Sequence, residues 1–359
     1  MTELTSMPEY NRAKERTDAW WEHEVIDRAP IRFTEHNAQH KTGLGEILKN
    51  YATIKDYWYD TEYQISAFLK GIEQNGLLAE TFPVYYPNLG PGVYAGFYGS
   101  PLGFAEVTAW TGHIVHNIEN DDFSHIKLDL QNEYWLKIEE MADAAIKAAA
   151  GRFLVGYTDL HPSMDCVADW CGAEQVCMAM LDAPERLEEL LEIAYGDFSK
   201  IFSHYNQKLF AAGMPSASWM GIPTDEPMHI PSCDFATLVS PAQFERFCLP
   251  YIEREARQAK YNVFHLDGRG VARHIDAILS LPQIQAIQLV QGVAEDEPIL
   301  QWVPLIQKIQ KAGRSVVIGI QLDELQSFMD AVPPEGIYMT LSASPELQKD
   351  VIAAVAKWR

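Results

Sequence analysis

The chain has 359 residues and sets 28 Lys and Arg against 50 Asp and Glu, a formal charge of −22 at neutral pH. That balance excludes the usual electrostatic route to nucleic acid and to anionic membrane faces, both of which are bound through basic excess. The length suits one α/β barrel or two smaller domains, and no apolar run reaches the ~20 residues of a membrane span.

In chain order, "EYNRAKERTDAWWEHEV" predicts a helix with Trp20 and Trp21 on its apolar side, within an N-terminal helical extension over residues 1–28. "APIRFTEH" follows as the first barrel strand. Residues 81–112 are rich in Gly, Pro and aromatics and too long for an ordinary link. They are expected to form a functional loop over one barrel mouth. "GRFLVGYTD" (151–159) reads as a strand, and helical material follows from about Asp165 to Ala212. Next come "SASWMGI" (216–222), a polar loop, and a helix capped by Ser240 with Pro241 at its first position. "YNVFHLDG", "AIQLVQG", "SVVIGIQ" and "GIYMTLSA" then alternate with helices at 271–280, 298–312, 322–331 and beyond Ser344. Strand and helix in regular alternation mean parallel strands joined by crossovers. The predicted fold is a single-domain (β/α)8 TIM barrel over residues 1–359.

With no signal-peptide segment in "MTELTSMPEYNRAKERTDAWW", a cytoplasmic protein is the expectation. Five cysteines without a CxxC pair read as reduced thiols, and Cys166, Cys171 and Cys177 read as core packing.

A barrel builds its active site at the C-terminal ends of its strands. Those ends carry Tyr157, Asp159 and His161; Trp219, then Asp225, Glu226 and His229; His265 and Asp267; Gln288 and Gln291; Gln321; and Ser342. His265 and Asp267 are two apart on one strand, so both leave the same face with Cα atoms roughly 6.5–7 Å apart, within reach of one metal ion or ligand group. The plainer reading has Asp267 capping the next helix and His265 donating to a carbonyl. Cys233 would add a sulfur to this nitrogen and oxygen set, as zinc accepts, while Asp234 beside it is also a fitting cap. In "YTDLHPSMD", Asp159, His161 and Asp165 suit acid–base or anchoring work, Asp165 otherwise capping a helix. Trp110, Tyr94, Tyr98 and Trp219 suit an apolar pocket wall, and core packing explains each singly as well. "GPGVYAGFYGS" lacks the GK[ST] ending of a phosphate loop.

The pattern "SCDF…SPAQFERFCLPYI…FHLDG…HIDAIL…AIQLVQG…MTLSASPE", with "AETFPVYYPNLGP", resembles the uroporphyrinogen decarboxylase superfamily, which includes cobalamin-linked methyltransferases. The resemblance implies a barrel with a funnel-shaped site. Its thiol-methylating branch holds zinc with a His-x-Cys where this chain has His265-Leu266-Asp267, and with a second Cys near Leu341–Ser344. Both cysteines are absent here, so a metal site would draw on His265, Asp267 and Cys233. The decarboxylase branch uses an Asp where this chain has Glu80, and an arginine-rich clamp that is missing.

The expected function is therefore transfer of a methyl group from a small methylated substrate to a corrinoid on a partner protein. A divalent metal, zinc for instance, would polarise the leaving heteroatom. Asp159, His161 or Glu80 would handle protons, and Tyr157, Trp219, Trp110, Tyr94, Gln288 and Gln291 would line the substrate. A decarboxylase or other lyase acting on a small carboxylated or aromatic compound is the alternative enzyme, and a non-catalytic ligand-binding barrel the third reading. A homodimer is the expected assembly.

Overall fold

The computed structural model describes residues 4–34, 39–292 and 296–358, without the side chains of residues 39–43 and 75. Glu35 and His36, the end of the expected first strand, lie outside the described residues.

Among the described residues ten strands are present: β1 Ile31–Thr34, β2 Val84–Tyr85, β3 Leu102–Phe104, β4 Ala109–Thr111, β5 Leu154–Val155, β6 Met228–His229, β7 Tyr261–Asp267, β8 Ala286–Val290, β9 Ser315–Ile320 and β10 Ile337–Ser342. Six form one curled parallel sheet in the order β1-β10-β9-β8-β7-β6, while β2 pairs with β5 and β3 with β4. The alternation of apolar strand and amphipathic helix in the C-terminal half thus produces parallel crossovers, as expected. This six-strand sheet makes a half-barrel of the expected ring, and β2 with β5 forms a separate pair.

One local reading changes, and the helical stretch after Asp165 is as expected. "SASWMGI" makes no strand; Ser216 forms a lone bridge to Thr224. Pro215 and Pro223 flank that segment and Gly221 sits at φ +67, which breaks a ladder. The helical stretch after Asp165 is four helices, Met164–Cys171, Ala173–Asp182, Pro184–Gly196 and Phe198–Ala211. Gly172 at φ +86 and Pro184 punctuate it. Ser240 caps its helix in a reciprocal pair with Gln243.

The N-terminal helix Tyr10–Trp21 closes the floor of the sheet, where the strands begin. Trp20 is fully buried; its Nε1 donates to Gly336 O at 2.8 Å, and Ser315 Oγ donates to Trp20 O at 2.7 Å. Burying an indole of ~200 Å² at about 25 cal/mol per Å² is worth roughly 5 kcal/mol before chain entropy is counted. The main apolar core runs from Trp20 to Trp358, and a smaller cluster holds Leu4, Met7, Tyr10, Ala13, Phe82 and Leu154.

Burial along the strands identifies the inner face. Arg32, His265, Gln288, Gly319 and Thr340 are partly accessible, whereas the residues on either side of each are buried. Registers His265↔Gln288, Arg32↔Thr340 and Thr340↔Gly319 align them across the sheet. A two-residue side-chain period therefore turns one row of polar or small residues inward near the C-terminal ends.

Candidate active site

His265 and Gln288 face each other on β7 and β8, with His265 Nδ1 2.6 Å from Gln288 Oε1. An amide oxygen only accepts, so Nδ1 carries the proton and donates, leaving the Nε2 lone pair free in the neutral ring. Nε2 stands 3.8 Å from Asp234 Oδ1, and Trp219 packs edge-on against the imidazole with centroids 5.4 Å apart.

Beyond β5, His161 Nε2 lies 2.9 Å from Asp159 Oδ1. Burial lowers the pKa of His161, but the Asp159 charge beside it more than offsets this and raises it to about 10. The pair is thus a carboxylate and an imidazolium at neutral pH. Asp165 begins the next helix and accepts hydrogen bonds from Asp234 N, Phe235 N and Ser232 Oγ at 3.0, 3.0 and 3.2 Å. It ties the 232–235 loop to the wall and so sets where Asp234 stands. Asp169, one helical turn on, accepts from Thr111 Oγ1 at 2.7 Å. Asp234 stands at the solvent edge, yet crowding by surrounding protein, and then the Asp165 charge, push its carboxyl up to about 6. Burial likewise raises Asp169 to about 6.

His161, Asp165, Asp169 and Asp234 share a cavity of about 330 Å³, rimmed by Trp110 and Thr111 of β4. A larger cavity of about 520 Å³ is lined by aromatics such as Trp58, Tyr63, Phe68 and Tyr86 among aliphatic residues, with Glu106 as its one carboxylate among the described residues. The smaller one holds the chemistry.

Several expected site residues lie elsewhere. Glu80 is fully buried near the floor: Arg28 Nη1 donates to its Oε2 at 2.7 Å, Ile31 N donates to the same oxygen at 2.7 Å, and Arg16 adds a third contact. It anchors the start of β1, opposite the mouth. Tyr94 and Tyr157 are core residues whose hydroxyls are used inward, donating to Ala194 O at 2.8 Å and Met228 O at 2.9 Å. His229 is buried between Phe198 and Phe202. Gln291 Nε2 donates to Gly319 O at 2.6 Å, and Trp110 is an exposed rim residue. The 81–112 region supplies this rim through β3 and β4, but Leu89, Val93, Tyr94 and Phe97 place its middle in the core.

The metal set of His265, Asp267 and Cys233 is not brought together. Cys233 is buried with its free thiol hydrogen-bonded to that of Cys248, a contact that with burial raises its pKa well above the ordinary value, and Asp267 is exposed. Among the described residues no three His, Cys, Asp or Glu side chains gather as a metal site. The donors present do not fit the expected ion. Cys166 and Cys171 are buried and Cys177 half-buried, as core packing requires.

A pH profile of stability follows. The imidazolium of His161 contributes stability that is complete below pH 6.5 and lost as pH rises through about 10. Asp169 and Asp234 hold protons above their ordinary pKa, so their contribution is present below about pH 4 and lost as pH rises through about 6. Thermal melts from pH 4 to 10 should decline in both windows. His161→Gln should flatten the upper limb, whose slope from one group cannot exceed about 1.4 kcal/mol per pH unit.

Sequence reading singled out His265, Asp159 and His161 at their strand ends, but not Asp169, Tyr86 or Arg32. The Asp-x-x-x-Asp spacing of Asp165 and Asp169 on one helix face was the available signal for the first.

Among the described residues no helix is long and apolar enough to cross a membrane. No family model matches the chain, and no curated protein does. The chain is similar in structure to a solved methyltransferase from Methanosarcina mazei, with a TM-score of 0.65 and 14% sequence identity over 95% of this chain and 97% of that one. At that identity the likeness establishes a shared fold.

Proposed function

We propose that this chain is a methyltransferase of the uroporphyrinogen decarboxylase superfamily, moving a methyl group from a small methylated substrate to a reduced corrinoid on a partner protein. The observation that carries the reading is the grouping of proton-bearing side chains, His161 with Asp159 and Asp234 with His265, at the strand ends of a fold shared with a methyltransferase. A heteroatom that gives up a methyl cation keeps the bonding pair and leaves more easily when it gains a proton. His161, held protonated by Asp159, and Asp234, half-protonated near pH 6, are the groups that hold such a proton. The corrinoid supplies the nucleophile. His265, its Nε2 turned toward Asp234, shares that proton work, Trp219 packs on its ring at the methyl-bearing end, and no step is routed through a metal.

Closure of the barrel belongs to the same reading. Glu80 N donates to Ile31 O and Phe33 N to Thr81 Oγ1, which brings the approach to β2 against β1. Tyr157 N donates to Ala217 O, which brings the end of β5 against the 216–218 segment.

The test is methyl transfer from a panel of methylated amines, ethers and thioethers to cob(I)alamin, followed by its visible spectrum. Carbon dioxide release without methyl transfer would replace the reading with a carboxy-lyase, and neither signal would leave a ligand-binding barrel. Metal analysis of wild type and His265→Ala checks the expected zinc separately.

A further inference from the structure

Arg32 interrupts the apolar strand "APIRFT" at an inward position, between buried Ile31 and Phe33. A strand facing a core has no use for a cation there unless something pairs with it. Among the described residues its one hydrogen bond is to the Met220 carbonyl, and no carboxylate pairs with it. Its guanidinium lies across Gly221, where a Cβ would sit 3.1–3.2 Å from the central carbon and both terminal nitrogens. One face is therefore covered by backbone, while the edges keep free donors. Burial lowers its pKa, whereas Arg12, Arg16 and Arg254, each held by carboxylates, are raised.

The surroundings connect this cation to the site. Met220 and Gly221 follow directly on Trp219, which packs on His265. Tyr86 interacts electrostatically with both Arg32 and Asp159. Across the sheet stand Thr340 and the empty side-chain position of Gly319. Among the described residues Arg32 itself lines a cavity of about 310 Å³ with Thr34, Thr81 and Gln348 and no other Lys or Arg, while the cavity of Asp165, Asp169 and Asp234 also has no Lys or Arg.

We infer that Arg32 binds the carboxylate of the substrate, which is a small monocarboxylate whose remaining part is neutral or cationic. The inference deepens the methyl-transfer reading and rests on it. One planar guanidinium matches one planar carboxylate through two parallel hydrogen bonds. A phosphate dianion would bring a second negative charge to a cavity with no second cation among the described residues. An acidic far end would likewise find no cation to pair with, there or in the cavity of Asp165, Asp169 and Asp234.

Two measurements test this on the full-length chain without a methyl acceptor, so failure of methyl transfer and failure here are separable. The first is a thermal melt of Arg32→Met. Removing an unpaired inward cation should raise Tm by about 1–4 °C; a fall would make Arg32 a structural residue and overturn the inference. The second is calorimetric titration at pH 7 with propionate, benzoate and trimethylglycine, each against its primary amide, and with inorganic phosphate. At least one acid should bind roughly 10- to 100-fold tighter than its amide. That gap should vanish in Arg32→Met and partly return in Arg32→Lys. Acids binding no better than amides, a gap that survives in Arg32→Met, or phosphate binding tightest would each overturn it.

Discussion

Glu80→Ala is expected to lower the unfolding free energy by about 3–5 kcal/mol, the cost of stripping one partner from a buried ion pair. The carboxylate is fully buried and receives Arg28 at 2.7 and 3.0 Å and the backbone N–H of Ile31 at 2.7 Å. Without it, a buried guanidinium and the first N–H of β1 lose their acceptor together. Arg28→Met with Glu80→Met should recover most of the loss, because an apolar pair of similar volume leaves no uncompensated charge. Urea unfolding of the two single variants and the double variant measures this directly. The profile also separates a structural acid from a catalytic one. Glu80→Gln, if folded, should keep its activity per folded molecule; loss of turnover at unchanged stability would return Glu80 to the chemistry.

Much of this arrangement was legible in the order of residues, for reasons that differ from place to place. β7 to β10 were readable because each is an apolar run bounded by Gly, Pro or polar residues and separated by an amphipathic helix. His265 was readable because a polar residue near the end of such a strand has few places to go except the site. β2, β5 and the 216–222 segment were less readable: two of them are only two residues long, and prolines and Gly221 leave the third without a ladder. Glu80 and Tyr94 were misplaced because motif and aromatic content do not encode direction. A two-residue period or a buried partner such as Arg28 decides whether a side chain points to the mouth or the floor. Cys233 failed as a ligand candidate for a related reason, since its partner Cys248 lies 15 residues on in another element and nothing local announces the pairing. The acids at the mouth were half legible. Asp165 reads as a cap for the helix that follows it, but that helix has Ser163 at its N-cap with no side-chain cap bond, and Asp165 in its first turn caps the 234–238 turn, 69 residues later, instead. That role is what places Asp234 near His265.

The largest functional effect is expected at His265. His265→Ala should lower kcat/KM for methyl transfer to cob(I)alamin by about 10²–10⁴-fold, the range for a positioned acid–base group. With Gln288 accepting the Nδ1 proton, His265 turns Nε2 toward Asp234 Oδ1, 3.8 Å away. At that separation the two groups stand near enough to act on one substrate heteroatom held between them. Gln288 is a positioning residue in this scheme. Gln288→Leu removes the acceptor that selects the tautomer and should cost about tenfold, mostly in kcat, while Gln288→Glu should strengthen the base and shift the pH–rate profile upward. His265→Gln keeps a similar volume against Trp219 and should be as inactive as His265→Ala with a nearly unchanged melting temperature, since His265 is only partly buried. Equal turnover in His265→Gln and wild type would assign the ring to packing against Trp219, and the proton work would then fall to Asp234 and to His161 held by Asp159.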